Sequence, residues 1–154
     1  MKIFFAGLTA ATMAFAGVAT AQDAPFAREI KARQGIMVYR AIQLGVLGGM
    51  AKGEIEYDAE AAQKAADNLM VSVSIDTSML WPMGSDNSAN PASTALAKMW
   101  EEGSGIGDKG KAMADAATAM QAAAGTGLDA LKTAMGPVGE ACSGCHKPFR
   151  VPTN

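Results

Sequence analysis

The chain has two cysteines and one histidine, and all three fall in one five-residue string, Cys142-Ser143-Gly144-Cys145-His146. A C-x-x-C-H string is chemistry for covalently held haem c. Each thiol adds to one vinyl group of the porphyrin, and the histidine that follows reaches the iron from the same side. A zinc centre needs four ligands, and the sequence holds no other Cys or His to complete one. A redox-active dithiol is expected beside a βαβ pattern, which the sequence does not contain. A disulfide between Cys142 and Cys145 would close a loop too small to restrain the unfolded chain much. Haem attachment is the reading that uses all three residues.

The start of the chain agrees with that chemistry. Lys2, an apolar run from Ile3 to Val18 and the small residues Ala19-Thr20-Ala21 have the three parts of a secretory signal peptide. The run is shorter than the roughly 20 apolar residues of a membrane span. Residues 1–21 are therefore expected to be removed after Ala21, leaving one domain, 22–154, of roughly 130 residues in the periplasm, where a mature c-type cytochrome works. The formal net charge of −2 becomes −3 once Lys2 is lost, because residues 1–21 contain one lysine and no acid. No basic face announces a nucleic-acid partner.

The elements that must carry the string are helices. Aromatics are few, and the alternating Val, Ile and Thr runs that mark strands are missing. A first helix is predicted from about Pro25 to Lys52, with Met37, Ala41, Leu44, Gly48 and Ala51 on one face and Gly53 as its stop. A second begins after Asp58 as N-cap and carries Ala62, Ala66, Leu69 and Val73. After a long connection, Asn90-Pro91 is expected to open a third helix bearing Leu96, Met99, Gly103, Ile106, Gly110, Met113, Ala117 and Met120. Its glycines predict a continuous but weakened helix.

The fourth helix starts near Gly127. Its line of Leu128, Leu131, Met135, Val138, Cys142, Cys145 and Phe149 puts both cysteines on the face that points into a core, and Pro137 removes one backbone hydrogen bond a turn before the string. Four helices with short connections predict an all-α, antiparallel up-down-up-down four-helix bundle with its haem between helices.

A haem string at the C-terminal end of the last helix resembles the cytochrome c' family, the class II cytochromes c. Arg33-Gln34-Gly35-Ile36-Met37, Ala51-Lys52-Gly53 with Tyr57-Asp58-Ala59, and the ending Cys145-His146 with Phe149-Arg150 carry the resemblance over nearly all of the mature chain. It implies that Cys142 and Cys145 hold the haem and that His146 is the proximal iron ligand. It also implies that Arg33 lies near a haem propionate and that Arg150 is a cation beside His146. From the residues alone, both arginines read as solvated surface charges.

The resemblance places Met37 on the distal side of the iron, one helical turn from Arg33. A ligating thioether there gives His/Met coordination, which suits one-electron transfer to redox partner proteins of the periplasm. A methionine that merely packs over the iron leaves a five-coordinate haem, open to nitric oxide or carbon monoxide. Dedicated catalysis is not expected, because a peroxidase needs a distal acid/base group and the single histidine is proximal. A homodimer through the first two helices, common in the family, would use Gly45, Gly48 and Gly49 for close approach; the same glycines serve packing within one chain equally well.

Overall fold

The computed structural model describes residues 24–152. The proposed signal peptide and its cleavage after Ala21 lie outside those residues. Four α-helices make the fold: α1, Ala27–Lys52; α2, Ala59–Ser74; α3, Ile106–Ala123; and α4, Leu128–Phe149. Helix α1 packs on α2 and α4, and α3 packs on α2 and α4, the square arrangement of an up-down-up-down bundle. Among the described residues no helix is long and apolar enough to cross a membrane.

Local chemistry sets the ends. Gly53 takes a left-handed conformation at φ 76°, and its N–H closes α1 on the carbonyls of Gly49 and Met50. Asp58 caps α2, its side chain accepting the Ala61 N–H at 2.7 Å. Helix α4 runs through both Pro137 and Pro148.

Within the described residues the largest apolar cluster joins the halves of the helices that the short connections link. Leu47, Met50, Leu69, Met120, Leu131 and Val138 fill it, with Ala62, Ala65, Ala66, Ala117 and Ala134 between them. Alanines at these positions let the helix axes come close, and the larger side chains interdigitate across them. A polar bridge reinforces it: Asp67 accepts from Gln63 and from Gln121 of α3, each at 2.9 Å.

Two expectations need correcting. The buried residues of α1 are Ile30, Arg33, Gln43, Leu47 and Met50, with Gly48 and Gly49, whereas Ala41 is exposed and Met37 is 36% exposed. Gly48 and Gly49 serve packing inside the chain, since a Cβ on Gly48 would lie 3.6 Å from Met135 Cε and one on Gly49 would strike Ile55.

The third helix does not start at Asn90-Pro91. Asn90 is buried and accepts the Ala92 N–H at 2.9 Å, so it caps a turn. Residues 94–96 pair instead with the end of α4, residues 97–100 form a single 3-10 turn, and Gly103 and Gly105 each take φ 73°. Leu96 and Met99 keep the apolar spacing of a helix, but tertiary pairing and left-handed glycines take the backbone elsewhere.

These glycines give opposite tests by thermal denaturation of the holoprotein. Gly110 lies inside α3 with nothing within 4 Å of an added Cβ. Gly110→Ala should therefore raise stability by about 0.5–1 kcal/mol. Gly105→Ala, forced into a left-handed conformation, should lower it by about 1 kcal/mol.

Candidate haem site

Cys142 and Cys145 stand on adjacent turns of α4, on the side that continues Leu131 and Val138 into the bundle. Both are free and half-buried, and Cys142 packs on the edge of the core cluster. Burial pushes both thiols above their ordinary range; the Arg40 charge opposes this at Cys142, while Cys142 itself raises Cys145 further and Lys109 opposes. Protonated at neutral pH, the pair is not built as thiolate nucleophiles.

His146 follows on the same helix. Burial, with the charge of Arg150, lowers the pKa of its imidazole, so the ring is neutral at pH 7. The neutral ring is the form that ligates a metal. Arg150 is the C-cap of α4, its N–H bonded to the His146 carbonyl at 3.0 Å.

The residues present fit a haem. Two free thiols share the inward side of one helix, and a neutral imidazole comes next in sequence. Leu44, Met70, Val73 and Met113 are apolar and only half-buried against the cluster that Cys142 borders. Among the described residues no group of three or more His, Cys, Asp or Glu could hold a bare metal ion. Cys142 and Cys145 would carry the thioethers, and His146 would ligate the iron.

Arg33 is 4% exposed, and the structure surrounds it with loop. Its Nη1 donates to the Leu80 carbonyl at 2.9 Å and to Ser85 Oγ at 2.7 Å. Its Nη2 donates to the Ser85 carbonyl at 2.5 Å and to Ser93 Oγ at 2.8 Å. The guanidinium also sits 4.4 Å from the centre of the Trp81 ring, a cation–π contact. Burial lowers its pKa from an ordinary value so high that it stays charged.

Met37 lies one turn further along α1, its Sδ 4.0 Å from Nη1 of Arg40. Arg40 went unnoticed in the sequence. Its Nε and Nη2 donate to Ser72 Oγ at 3.2 Å and to the Ser72 carbonyl at 2.6 Å, tying α1 to α2. Its charge also acts on Cys142 of α4. The signal available was spacing: Arg33, Met37 and Arg40 fall at i, i+4 and i+7, one face of a helix.

A four-helix bundle with C-x-x-C-H on the inner side of its last helix defines a class, the c-type haem proteins of bundle type. Comparison with known proteins narrows it. The sequence profile described as cytochrome c' matches residues 28–150. Cytochrome c-554 of Cereibacter sphaeroides is 46% identical over 133 residues, 86% of this chain and 87% of that one. Cytochrome c' of the same species is 36% identical over 150 residues, 97% of each chain. A solved cytochrome c' from Rhodobacter sphaeroides superposes with a TM-score of 0.80 at 36% identity, covering 83% of this chain and 98% of that one. The chain belongs to the cytochrome c' family, whose members bind one covalently attached c-type haem.

The attachment chemistry gives a direct check. Cys142→Ser and Cys145→Ser should each leave a single thioether and red-shift the pyridine haemochrome band. The double variant should lose haem staining on a denaturing gel while its apoprotein stays helical by circular dichroism.

Proposed function

We propose that the protein carries single electrons in the periplasm, with His146 as the proximal iron ligand and Met37 as the sixth ligand. The observation that carries this is the position of Arg40, whose guanidinium reaches Met37 Sδ on one side and exerts its charge on Cys142 on the other. Met37 thus neighbours a cation whose charge acts on one of the two cysteines. Bound haem supplies the Fe(III)/Fe(II) couple. The chain supplies the neutral imidazole of His146, a soft thioether that favours the reduced iron, and the two thiols that fix the haem edge.

Export of the mature chain, 22–154, after loss of residues 1–21 belongs to this reading. The family's periplasmic residence supports it. No distal acid or base is required, because an outer-sphere electron carrier moves no proton on a bound substrate.

The second reading, capture of nitric oxide or carbon monoxide at an open sixth position, is favoured by the exposure of Met37. It is also supported by a carbon-monoxide-bound variant of cytochrome c' from Alcaligenes xylosoxidans, 25% identical with a TM-score of 0.70. The optical spectrum separates the two. On the electron-carrier reading the native protein is low-spin with a sulfur-to-iron charge-transfer band and ignores carbon monoxide, and Met37→Ala turns it five-coordinate and gas-responsive. A high-spin native spectrum, unchanged by Met37→Ala, would transfer the assignment to gas binding.

A second copy of the chain is the partner we place on the outer face of α1 and α2. Val71 and Ile75 are exposed there and line a groove of about 400 Å³ with Gly35, Tyr39 and Ser72, and Val38 and Ile42 of α1 are exposed as well. Family members are often dimeric. Ile42→Glu with Val71→Glu should convert a dimer to a monomer in sedimentation; a native monomer at high concentration would refute the assignment.

A further inference from the structure

The segment between α2 and α3 touches both sides of the haem site within a few residues. Toward α1 it receives all four Nη bonds of Arg33, through Leu80, Ser85 and Ser93. Gln34 adds a bond from Nε2 to the Ala92 carbonyl at 2.8 Å, and the buried Asn90 donates to the Pro25 carbonyl at 2.8 Å. Trp81, under the guanidinium, is held in turn by its carbonyl, which accepts from Trp100 Nε1 at 3.0 Å.

Toward α4 the same segment pairs with the residues just after His146. Leu96 N–H donates to the Phe149 carbonyl at 2.9 Å, and Val151 N–H donates to the Thr94 carbonyl at 2.8 Å. Ala95 and Arg150 form an antiparallel bridge.

We infer that residues 80–96 are a strap clasped by Arg33, which fixes the Met37 stretch of α1 against the His146 end of α4 and makes Arg33 a positioning residue for the sixth iron ligand. The effect on the iron rests on the reading of Met37 above; the mechanical coupling does not.

The strap has no slack. Ser93 Oγ accepts from Arg33 and also from Ala95 N–H at 3.2 Å, and the neighbouring Thr94 carbonyl already belongs to the pairing with α4. Consecutive Cα atoms are only about 3.8 Å apart, so a shift at Ser93 passes directly to Thr94. The guanidinium is a rigid planar fork that fixes orientation as well as distance, which a lysine cannot do. Met37 lies four residues on, about 6 Å along the same helix. A ligand must be held to within about 0.5 Å to bind productively, so a loosened α1 loses it first. The resemblance gives Arg33 to a haem propionate; here both hydrogens of each Nη go to the strap, which leaves Nε–H alone.

The test uses the holoprotein and two variants, Arg33→Lys and the double change Ser85→Ala with Ser93→Ala, which keeps Arg33 should the first fail to fold. Amide exchange of Leu96 and Val151, the two cross-strap donors, should accelerate at least tenfold, while Leu69 in the core is unaffected. The fraction of ferrous protein that binds carbon monoxide should rise in parallel. Unchanged exchange at Leu96 and Val151 in both variants would overturn the strap. Faster exchange with unaltered gas binding, while Met37→Ala opens the site, would overturn the positioning role. If Met37→Ala leaves the spectrum unchanged, the positioning role falls with the ligand reading, and the exchange rates still decide the strap.

Discussion

A single side of α4 has to serve both the core and the cofactor, and this constraint organises the molecule. The line that buries Leu131 and Val138 continues along the helix to Cys142 and Cys145. At 3.6 residues per turn, three- and four-residue steps keep all of them on one stripe. The apolar half of that stripe fixes the rotation of α4 through packing. That rotation then determines where the two thiols point. His146 comes next in sequence, so its direction follows from the same rotation.

The bundle is divided accordingly. Around the short connections it is packed with alanine, leucine and methionine, with glutamines and Asp67 as a polar tie between α2 and α3. Around the long connection it is polar and stapled by arginines, each held by neutral acceptors: carbonyls and hydroxyls for Arg33, Ser72 for Arg40. Well-packed alanine surfaces need no side-chain geometry beyond close approach. A site that must hold one residue opposite another needs directional bonds, and the fork of an arginine supplies several at once.

What could be read from the sequence follows this division. Helices α2 and α4 were legible because their buried faces are regular: Asp58 is an N-cap with the helix it announces, and the α4 line contains Leu131, Val138 and Phe149 as buried residues. The haem string was legible because it holds the chain's entire stock of Cys and His. Helix α3 was misread because Leu96 and Met99 keep a helical spacing for another reason: they are near or in a short turn beside the strand-like pairing of residues 94–96 with 149–151. Such pairing depends on a partner more than 50 positions away, which periodicity within a window cannot sense. Arg33 could be named but not its surroundings, since Ser85 and Ser93 read as ordinary loop residues until the fold places them around the guanidinium.

The arginines of α1 also bear on charge. Arg33 is buried with carbonyl and hydroxyl acceptors, and its positive charge is solvated by dipoles without being neutralised by an anion. Arg40 is similarly held by Ser72. Two fixed cations flanking Met37, in a medium that screens less than water, raise the electrostatic potential around it, and the charge of Arg40 reaches Cys142 of α4. Any group there that changes charge is biased toward its less positive state. For a one-electron couple in that position the bias favours reduction, in the same direction as a thioether ligand. On the electron-carrier reading proposed above, the two arginines thus add a standing field of the sign that favours the reduced iron.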